Sequence, residues 1–573
     1  MINSRREGKA MSYSMKRVLF PMLATAALIT AAVGCSAPKE ASTEAGAKAG
    51  TGAEALKSAK RGALTATIYD RGNIPSSEGT IENNKITKWI NEAGPVDVKF
   101  IPVPRTQSEQ KLNTLFAGGG APDLILEYAP QIKNPLIDQK QLRPIDDMID
   151  KYSTEYKALL LKYPALKKAG TGADGKLYQF GRINETIPQR GLFIRTDWLK
   201  KLNLEIPKTT EELYQVAKAF TEQDPDGNGK KDTYGIAMSY SSGAVLDEMF
   251  GVTYPGFIVQ NNELIHGWDN IKAVTQFKKQ LYSEGLVDKD YLNDKNGSKA
   301  KQDFLNGKIG IYMEQFNVPF VFYNDYYLNL KKNVPNAEIT VIPYPKTPVG
   351  QFNSIFVNPV QMTGVVNAQA KDPEAVMKYV DFASSEKFMK TMYYGFEGVH
   401  SKSEPGKCPL VTDLDKWKTE FNFGAGDFAM LASPTLAGKC YFGTEKLDAQ
   451  DPAQDQVKKM FEMNSTFVNF DLPVAGPTHA EQMPQLPKEL QLILTNTTKQ
   501  VGVGEGDIWV KAILTPNYSA EQAKQDALAA WEKAGGKQVD DWYKSFYAKD
   551  KDKIILTKDI YEIFKEQRAV QKK

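Results

Sequence analysis

The sequence predicts an α/β protein of two lobes, and three observations predict it. Strand-like and helix-like stretches alternate from residue 63 onward, about 510 residues follow the N-terminal segment, and one apolar run is continuous enough to be a strand buried on both faces. A chain of that size exceeds what one hydrophobic core holds, so it divides. The stretch "ALTATIYD" (Ala63–Asp70) is rich in β-formers and opens the first lobe, and "VDVKFIPVP" (Val96–Pro104) follows a helical stretch as a second strand. In "SEQKLNTLFAGG" the residues Leu112, Leu115 and Phe116 have helical spacing and the run ends at glycine. It leads into "PDLILEYAP", where Leu124–Leu126 is the short apolar run of a buried parallel strand. Strand, helix, strand, helix, strand is an α/β lobe.

Further on, "LFIRTDWLKKLNL" and "TTEELYQVAKAFTEQ" read as two helices around a break at Pro207. Thr210 is the expected N-cap of the second, with Glu211 and Glu212 in its first turn. "TYGIAMSY" then reads as a strand. Between them, "DPDGNGKKDTYG" (Asp224–Gly235) has the spacing of an EF-hand loop. Asp224, Asp226, Asn228, the Lys230 carbonyl and Asp232 fall at ligand positions, and Gly229 falls at the turn. The twelfth position, a bidentate Glu in an EF-hand, is Gly235. Short oxygen-bearing side chains at alternating positions suit Ca2+; the competing reading is an Asp/Asn/Gly-rich turn bonded to its own backbone. We expect a metal-pinned helix–strand connection holding structural Ca2+, which requires an exported protein. "FLNGKIGIYMEQFN" (Phe304–Asn317) places a turn before a strand at Ile309–Met313.

The N-terminus supplies the export. Lys16 and Arg17 precede an apolar run from Val18 to Val33, then Gly34 and Cys35. The run is shorter than the ~20 residues of a spanning helix and reads as a signal peptide over residues 1–34, with Met15 as the working start. Ala32-Val33-Gly34-Cys35 resembles the bacterial lipobox, with Ala where Leu is usual, which makes Cys35 the lipidated residue. An ordinary cleaved signal and a retained short anchor are the competing readings. Residues 35–61 hold the lipidated Cys and a flexible tether without a single aromatic residue, reaching roughly 25–30 Å.

Composition narrows the function. Without residues 1–34 the chain has 67 basic and 68 acidic residues, so bulk charge gives no argument for nucleic acid. Cys408 and Cys440 can pair or stay as free thiols, and both readings stand. The three histidines, His266, His400 and His479, show no zinc spacing, and the glycines of Gly118–Asp123 precede a strand, the wrong order for a dinucleotide turn. No GxSxG, HExxH or phosphate loop occurs, so the sequence is read as binding and not catalytic. In open parallel sheets, ligands sit beyond the carboxyl ends of strands. That rule selects Asp70 and Arg71, Glu127 and Tyr128, and Glu314, Phe316 and Asn317. Glu185, Trp268 and Glu397 complete the candidates; Glu397 in "GFEGVH" either faces the cleft or caps a helix.

The stretch "DGKLYQFGRINETIPQRGLFIRTDWLKKLNLEIPKTTEELYQVAKAFTEQDPDGNGKKDTYGI" (Asp174–Ile236) resembles the family-1 extracellular solute-binding proteins, the lipoprotein components of carbohydrate ABC importers, in their long Gram-positive form. The resemblance continues in "LYSEGLVDKDYL" (Leu281–Leu292), "FLNGKIGI", "YYGFEGVH" (Tyr393–His400) and "WEKAGGKQVDDWYKSFY" (Trp531–Tyr547), and lapses at Tyr441–Pro484. It implies a periplasmic-binding-protein-like type II fold, two α/β lobes with a hinge and an interlobe cleft. The first lobe would take residues 62–190 plus about 350–405, and the second 191–349 plus about 406–573, with crossings near Gln189–Phe193 and Pro345–Asn353. The calcium loop would sit on the second lobe, far from the ligand; the further acidic ligand the family suggests after Asp232 is Thr233 here. The resemblance implies a monomer, lipid-anchored on the extracellular face of the cell membrane, that passes an oligosaccharide to ABC permease subunits. A secreted polysaccharide-active enzyme and a surface sensor or adhesin are the alternatives.

Overall fold

The computed structural model describes residues 61–573 apart from 173, 441, 442, 445, 478–481, 505, 572 and 573. The expected signal peptide, Cys35 and nearly all of the tether lie outside the described residues, as does His479.

Strand β1 (Ala63–Asp70) pairs in parallel with β2 (Asp97–Pro104) along its whole length, from Ala63 opposite Asp97 to Asp70 opposite Pro104. Strand β3 (Leu124–Leu126), buried throughout, joins β1 on its other side. The chain continues through β4 (Gln179–Ile183), β5 (Arg190–Arg195), β6 (Tyr234–Ile236) and a hairpin of β7 (Phe257–Gln260) and β8 (Glu263–His266). Then come β9 (Ile309–Gln315), β10 (Ile339–Ile342) and β11 (Val360–Val366). One sheet has the order β2-β1-β3-β11-β4, with β11 antiparallel to both neighbours; the other runs β10-β5-β9-β6, with only β6 and β9 parallel.

Residues of β5 alternate between two cores, as a strand's two-residue period requires. Leu192 and Ile194 pack with Trp198, Phe220 and Ile311, while Phe193 packs on the other face with Phe316, Phe322 and Val341. This corrects the expected helix over "LFIRTDWLKKLNL". Its first four residues lie in β5, where sheet pairing on both edges outweighs local helical preference, and the helix covers only Thr196–Leu202. The next helix, Thr210–Glu222, is capped by Thr209 and not Thr210. The Thr209 hydroxyl accepts from Glu212 N at 3.2 Å and the Glu212 carboxylate accepts from Thr209 N at 3.3 Å, a capping box that needs Glu three residues on. Strand β9 extends two residues beyond its expected end.

The division of the C-terminal half also differs from the expected 406–573. Trp417, Phe421, Phe428 and Leu431 pack in the core of the first sheet, as do Ile560, Tyr561 and Phe564. A separate helical core unites the β7–β8 hairpin with helices between Lys488 and Asp550 through Phe257, Trp268, Trp509, Trp531 and Tyr543.

Two passages connect the sheets, residues 184–189 from β4 to β5 and residues 343–359 from β10 to β11. They run antiparallel and bond to each other: Gln189 N donates to Ile355 O at 2.7 Å, Val357 N to Ile187 O at 2.9 Å, and Asn184 N to Pro359 O at 3.0 Å. The first crossing therefore lies just before the span expected and shares only Gln189 with it, while the second contains the span expected, with its bonded residues 355–359 just beyond it; Phe193 is already in β5. The C-terminal helix, Thr557–Gln571, covers this ribbon. Phe356 meets the rings of Tyr561 and Phe564 at 5.7 and 5.4 Å, and Gln567 accepts from Thr186 N at 2.7 Å while donating to Asn184 O at 3.1 Å.

Glu185 is buried in this ribbon, so its expected ligand role is replaced by a position in the hinge. Burial pushes its carboxyl from 4.5 up to about 8, only partly opposed by the Arg568 guanidinium. A folded value above the unfolded one means the native state holds an extra proton between them. This contribution to stability is complete below about pH 4.5 and is lost as the pH rises toward about 8. The decline has a slope of up to about 1.4 kcal/mol per pH unit. Melting temperatures of the wild type should fall across this window, and Glu185→Gln should flatten the fall; coincident profiles would show that Glu185 titrates as it does in the unfolded chain.

Candidate ligand-binding site

The carboxyl ends of the first sheet carry a stacked aromatic and cationic group. The Tyr69 and Tyr128 rings lie 5.8 Å apart, with the Arg105 guanidinium 4.7 Å from the Tyr69 ring and that of Arg182 5.9 Å from the Tyr128 ring. Burial raises the Tyr128 hydroxyl above its usual range. Arg71 forms a two-pronged bond to Asp427 at 2.7 and 2.8 Å. Arg182 is bonded to neutral acceptors, the Gln361 side-chain oxygen at 2.9 and 3.2 Å and the Ala429 carbonyl at 3.0 Å.

Arg71, Tyr128, Arg182 and Asp427 form one wall of a cleft of about 710 Å³, with Tyr69 buried behind Tyr128. Phe320, Asn324 and Asp325, which follow β9, form the opposite wall. A third wall comes from Tyr393, Tyr394, Trp417 and Lys446. Cys408 and Cys440 form a disulfide, which decides between the two readings of these cysteines, and the Tyr394 hydroxyl donates to the Cys440 carbonyl. Beside that bridge the Lys446 ammonium lies 4.5 Å from the Tyr393 ring, 4.7 Å from Trp417, 5.8 Å from Tyr394 and 6.0 Å from Phe320. Burial lowers it from 10.5 to about 8.

Of the residues expected at the ligand, Arg71 and Tyr128 line this cleft, and Asp70 stands beside it, accepting from Gly72 N at 2.9 Å. The others do not line it. Glu127 is fully buried because its backbone extends the sheet, Glu127 N donating to Thr363 O at 2.8 Å, which turns the side chain inward. There it accepts from the Tyr69 hydroxyl and from Ala129 N, so it orients Tyr69. Glu314 accepts from the Tyr312 hydroxyl at 3.2 Å and from Gln315 N at 2.8 Å. Phe316 is core, with ring contacts to Phe193, Phe322 and Phe461, and Asn317 is half-buried outside the cleft lining. Trp268 stacks on His266 at 3.7 Å inside the helical core. Glu397 is exposed and accepts from Ser403 N and Oγ, both at 2.7 Å.

Sequence reading missed Arg182, Asn324, Trp417 and Lys446. Arg182 had a usable signal, the carboxyl end of β4, had "QFGRI" been read as a strand. Trp417 and Lys446 had none, because only tertiary folding brings them to this place. A second cavity of about 550 Å³ is lined by Arg190, Tyr240, Glu248, Phe356 and Ile560 among others. Its buried charges are paired internally, Arg190 with Glu248 at 2.6 Å and Lys278 with Asp247 at 2.7 Å, which leaves the larger cleft as the better ligand site.

The Asp224–Gly235 loop connects the Thr210–Glu222 helix to β6 as expected. Gly227 and Gly229 have positive φ, 75° and 76°. Asp224 accepts from Asn228 N and Gly229 N, and the Asn228 side-chain amide donates to Asp226 at 2.7 Å and Asp232 at 3.0 Å. Burial and the touching Asp224 carboxyl push Asp226 upward, while Asp224 is lowered by the same contact. Among the described residues no three His, Cys, Asp or Glu side chains converge on one metal position. The loop thus has a self-bonded form with two carboxyls in contact. A Cβ at Gly235 would lie 2.0 Å from the Ala217 carbonyl, which excludes a Glu at the twelfth position.

Residues 76–390 match the family model described as bacterial extracellular solute-binding protein. The chain is 26% identical to the polygalacturonan/rhamnogalacturonan-binding protein YtcQ of Bacillus subtilis over 82% of this chain and 89% of that one. It is 23% identical to lipoprotein LipO of the same organism over 82% and 90% of the two chains. The structure is similar to that of the ABC-transporter substrate-binding protein FusA of Streptococcus pneumoniae in complex with kestose, with a TM-score of 0.63, 20% identity and coverage of 86% and 99%. At that identity the likeness speaks for the fold, a periplasmic-binding-protein-like pair of α/β lobes.

Proposed function

The chain belongs to the bacterial extracellular solute-binding proteins, and from that membership we propose that it captures an oligosaccharide outside the cell and passes it to an ABC permease. The observation that carries this reading is the composition of the cleft. Each of its walls supplies an aromatic ring and a polar or charged side chain: Tyr128 with Arg182, Phe320 with Asn324, Trp417 with Lys446. A sugar offers C–H faces that pack on rings and hydroxyls that bond to planar polar groups. The ribbon of two bonded crossings gives the lobes a short axis about which to close on such a ligand. The name of YtcQ and the kestose in FusA agree in kind with an oligosaccharide.

Asp224, Asp226, Asn228, the Lys230 carbonyl and Asp232 would hold Ca2+, with Asn228 turning its amide to present oxygen. The cation would supply neutralisation of the touching Asp224 and Asp226 carboxyls and would pin the helix to β6 at a corner outside the cleft lining. Cys35 would carry the lipid that keeps the protein at the outer face of the cell membrane, a reading supported by its lipobox and by the lipoprotein LipO.

Tyr128→Ala and Asn324→Ala, on facing walls, should each weaken oligosaccharide binding by about tenfold, the scale of one stacking or hydrogen-bonding contact. Calorimetry against a panel of oligosaccharides measures this, and ligand should shrink the radius of gyration in small-angle scattering. A double variant that binds and compacts like the wild type would place the site elsewhere, and cleaved sugar in the incubation would favour the enzyme reading. Chelator should lower the wild-type melting temperature, Ca2+ at 100 times its dissociation constant being worth about 2.7 kcal/mol; Asp226→Ala should be indifferent to chelator. Equal wild-type melting with and without chelator would remove calcium from the account. Labelled palmitate should follow the wild-type band and not Cys35→Ala; an unlabelled wild type would exclude the anchor.

A further inference from the structure

The charges lining the cleft do not cancel. Arg71 is matched by Asp427, and Asp325, more than half exposed, lies 4.0 Å from Lys301 outside the cleft. Among the described residues, the guanidinium of Arg182 bonds only neutral oxygens, those of Gln361 and Ala429. The ammonium of Lys446 is surrounded by Tyr393, Trp417, Tyr394 and Phe320 and, among the described residues, forms no ion pair. Ring faces attract a cation without discharging it, so a buried ammonium keeps most of its desolvation cost. That cost appears as the lowering of Lys446 to about 8.

Closure over a neutral sugar removes water from Lys446 and Arg182 and returns no opposite charge. Closure over a carboxylate pairs both cations and recovers the lost solvation through charge-assisted bonds. We infer that the cleft selects an acidic oligosaccharide, one whose sugar carboxylates meet Lys446 and Arg182 while its ring faces pack on Tyr128, Tyr393 and Trp417. The inference rests on the sugar-capture reading and specifies the class of sugar. The aromatic cage then has a physical role: it holds the ammonium without an internal carboxylate that a ligand would have to displace.

The test uses the full mature chain and a panel of hexuronic acid trisaccharides, each paired with the same trisaccharide whose carboxyls are reduced to alcohols. Calorimetry at low and high salt gives the affinity ratio within each pair. At least one acid should bind ten times or more tighter than its reduced partner, and added salt should lower the ratio. Lys446→Met, which keeps the apolar stem, should bring that ratio toward one. Reduced sugars that bind as well as the acids would overturn the inference and leave sugar capture standing. A preference for acid untouched by Lys446→Met would overturn the assignment to this residue. Binding of neither class, with the protein folded by melting temperature, would overturn both readings. The wild-type ratio decides the main point even where the variant fails to fold.

Discussion

The antiparallel ribbon formed by residues 184–189 and 355–359 is the constraint on which the rest of the structure depends. Both sheets contain strands fed by these two passages, so any displacement of one sheet against the other must act through them. Three backbone bonds and the cover of Tyr561, Phe564 and Gln567 hold the ribbon together. Bending at so few bonds permits rotation of the lobes without breaking either sheet, since packed cores move as units and hinges absorb the change. Glu185, placed here without a full set of partners, makes the ribbon a less stable segment than its hydrogen bonds suggest.

The cleft shows how function is distributed across the chain. Its first wall comes from the ends of β1 and β4 and from the residues after β3, its second from the helix after β9, and its third from segments more than 50 residues apart around the Cys408–Cys440 bridge. Glu127 bonds the buried Tyr69 on which Tyr128 stacks, and Gln361 bonds Arg182, so neither the Tyr128 ring nor the guanidinium has to be ordered by ligand. Such preorganisation reduces the entropy a ligand must overcome on binding.

Much of the fold was legible because local pattern and tertiary context agreed. Ala63–Asp70 and Leu124–Leu126 are strands with the limits their composition indicates, and the helix of Ser108–Ala117 ends at Gly118 as its sequence indicates. "LFIR" was misread because three successive apolar residues do not distinguish a helix start from a strand packed on both faces. The site was less legible. The strand-end rule locates a neighbourhood, and it led to Arg71 and Tyr128, but it does not tell whether the next side chain turns in or out. Glu127 and Phe316 turned in, since β3 and β9 keep their alternation for one residue beyond the assigned strand. Trp417 and Lys446 stand far from any strand end in sequence, and no local pattern marks them.

The Cys408–Cys440 bridge also ties binding to location. The segment that carries Lys446 is fastened to the cleft by a bond that forms in oxidising surroundings and is kept open in a reducing cytosol. With the thiols reduced, the third wall has no covalent anchor. The wall is thus fully fastened only where the surroundings oxidise thiols, which suits a chain of an extracellular family.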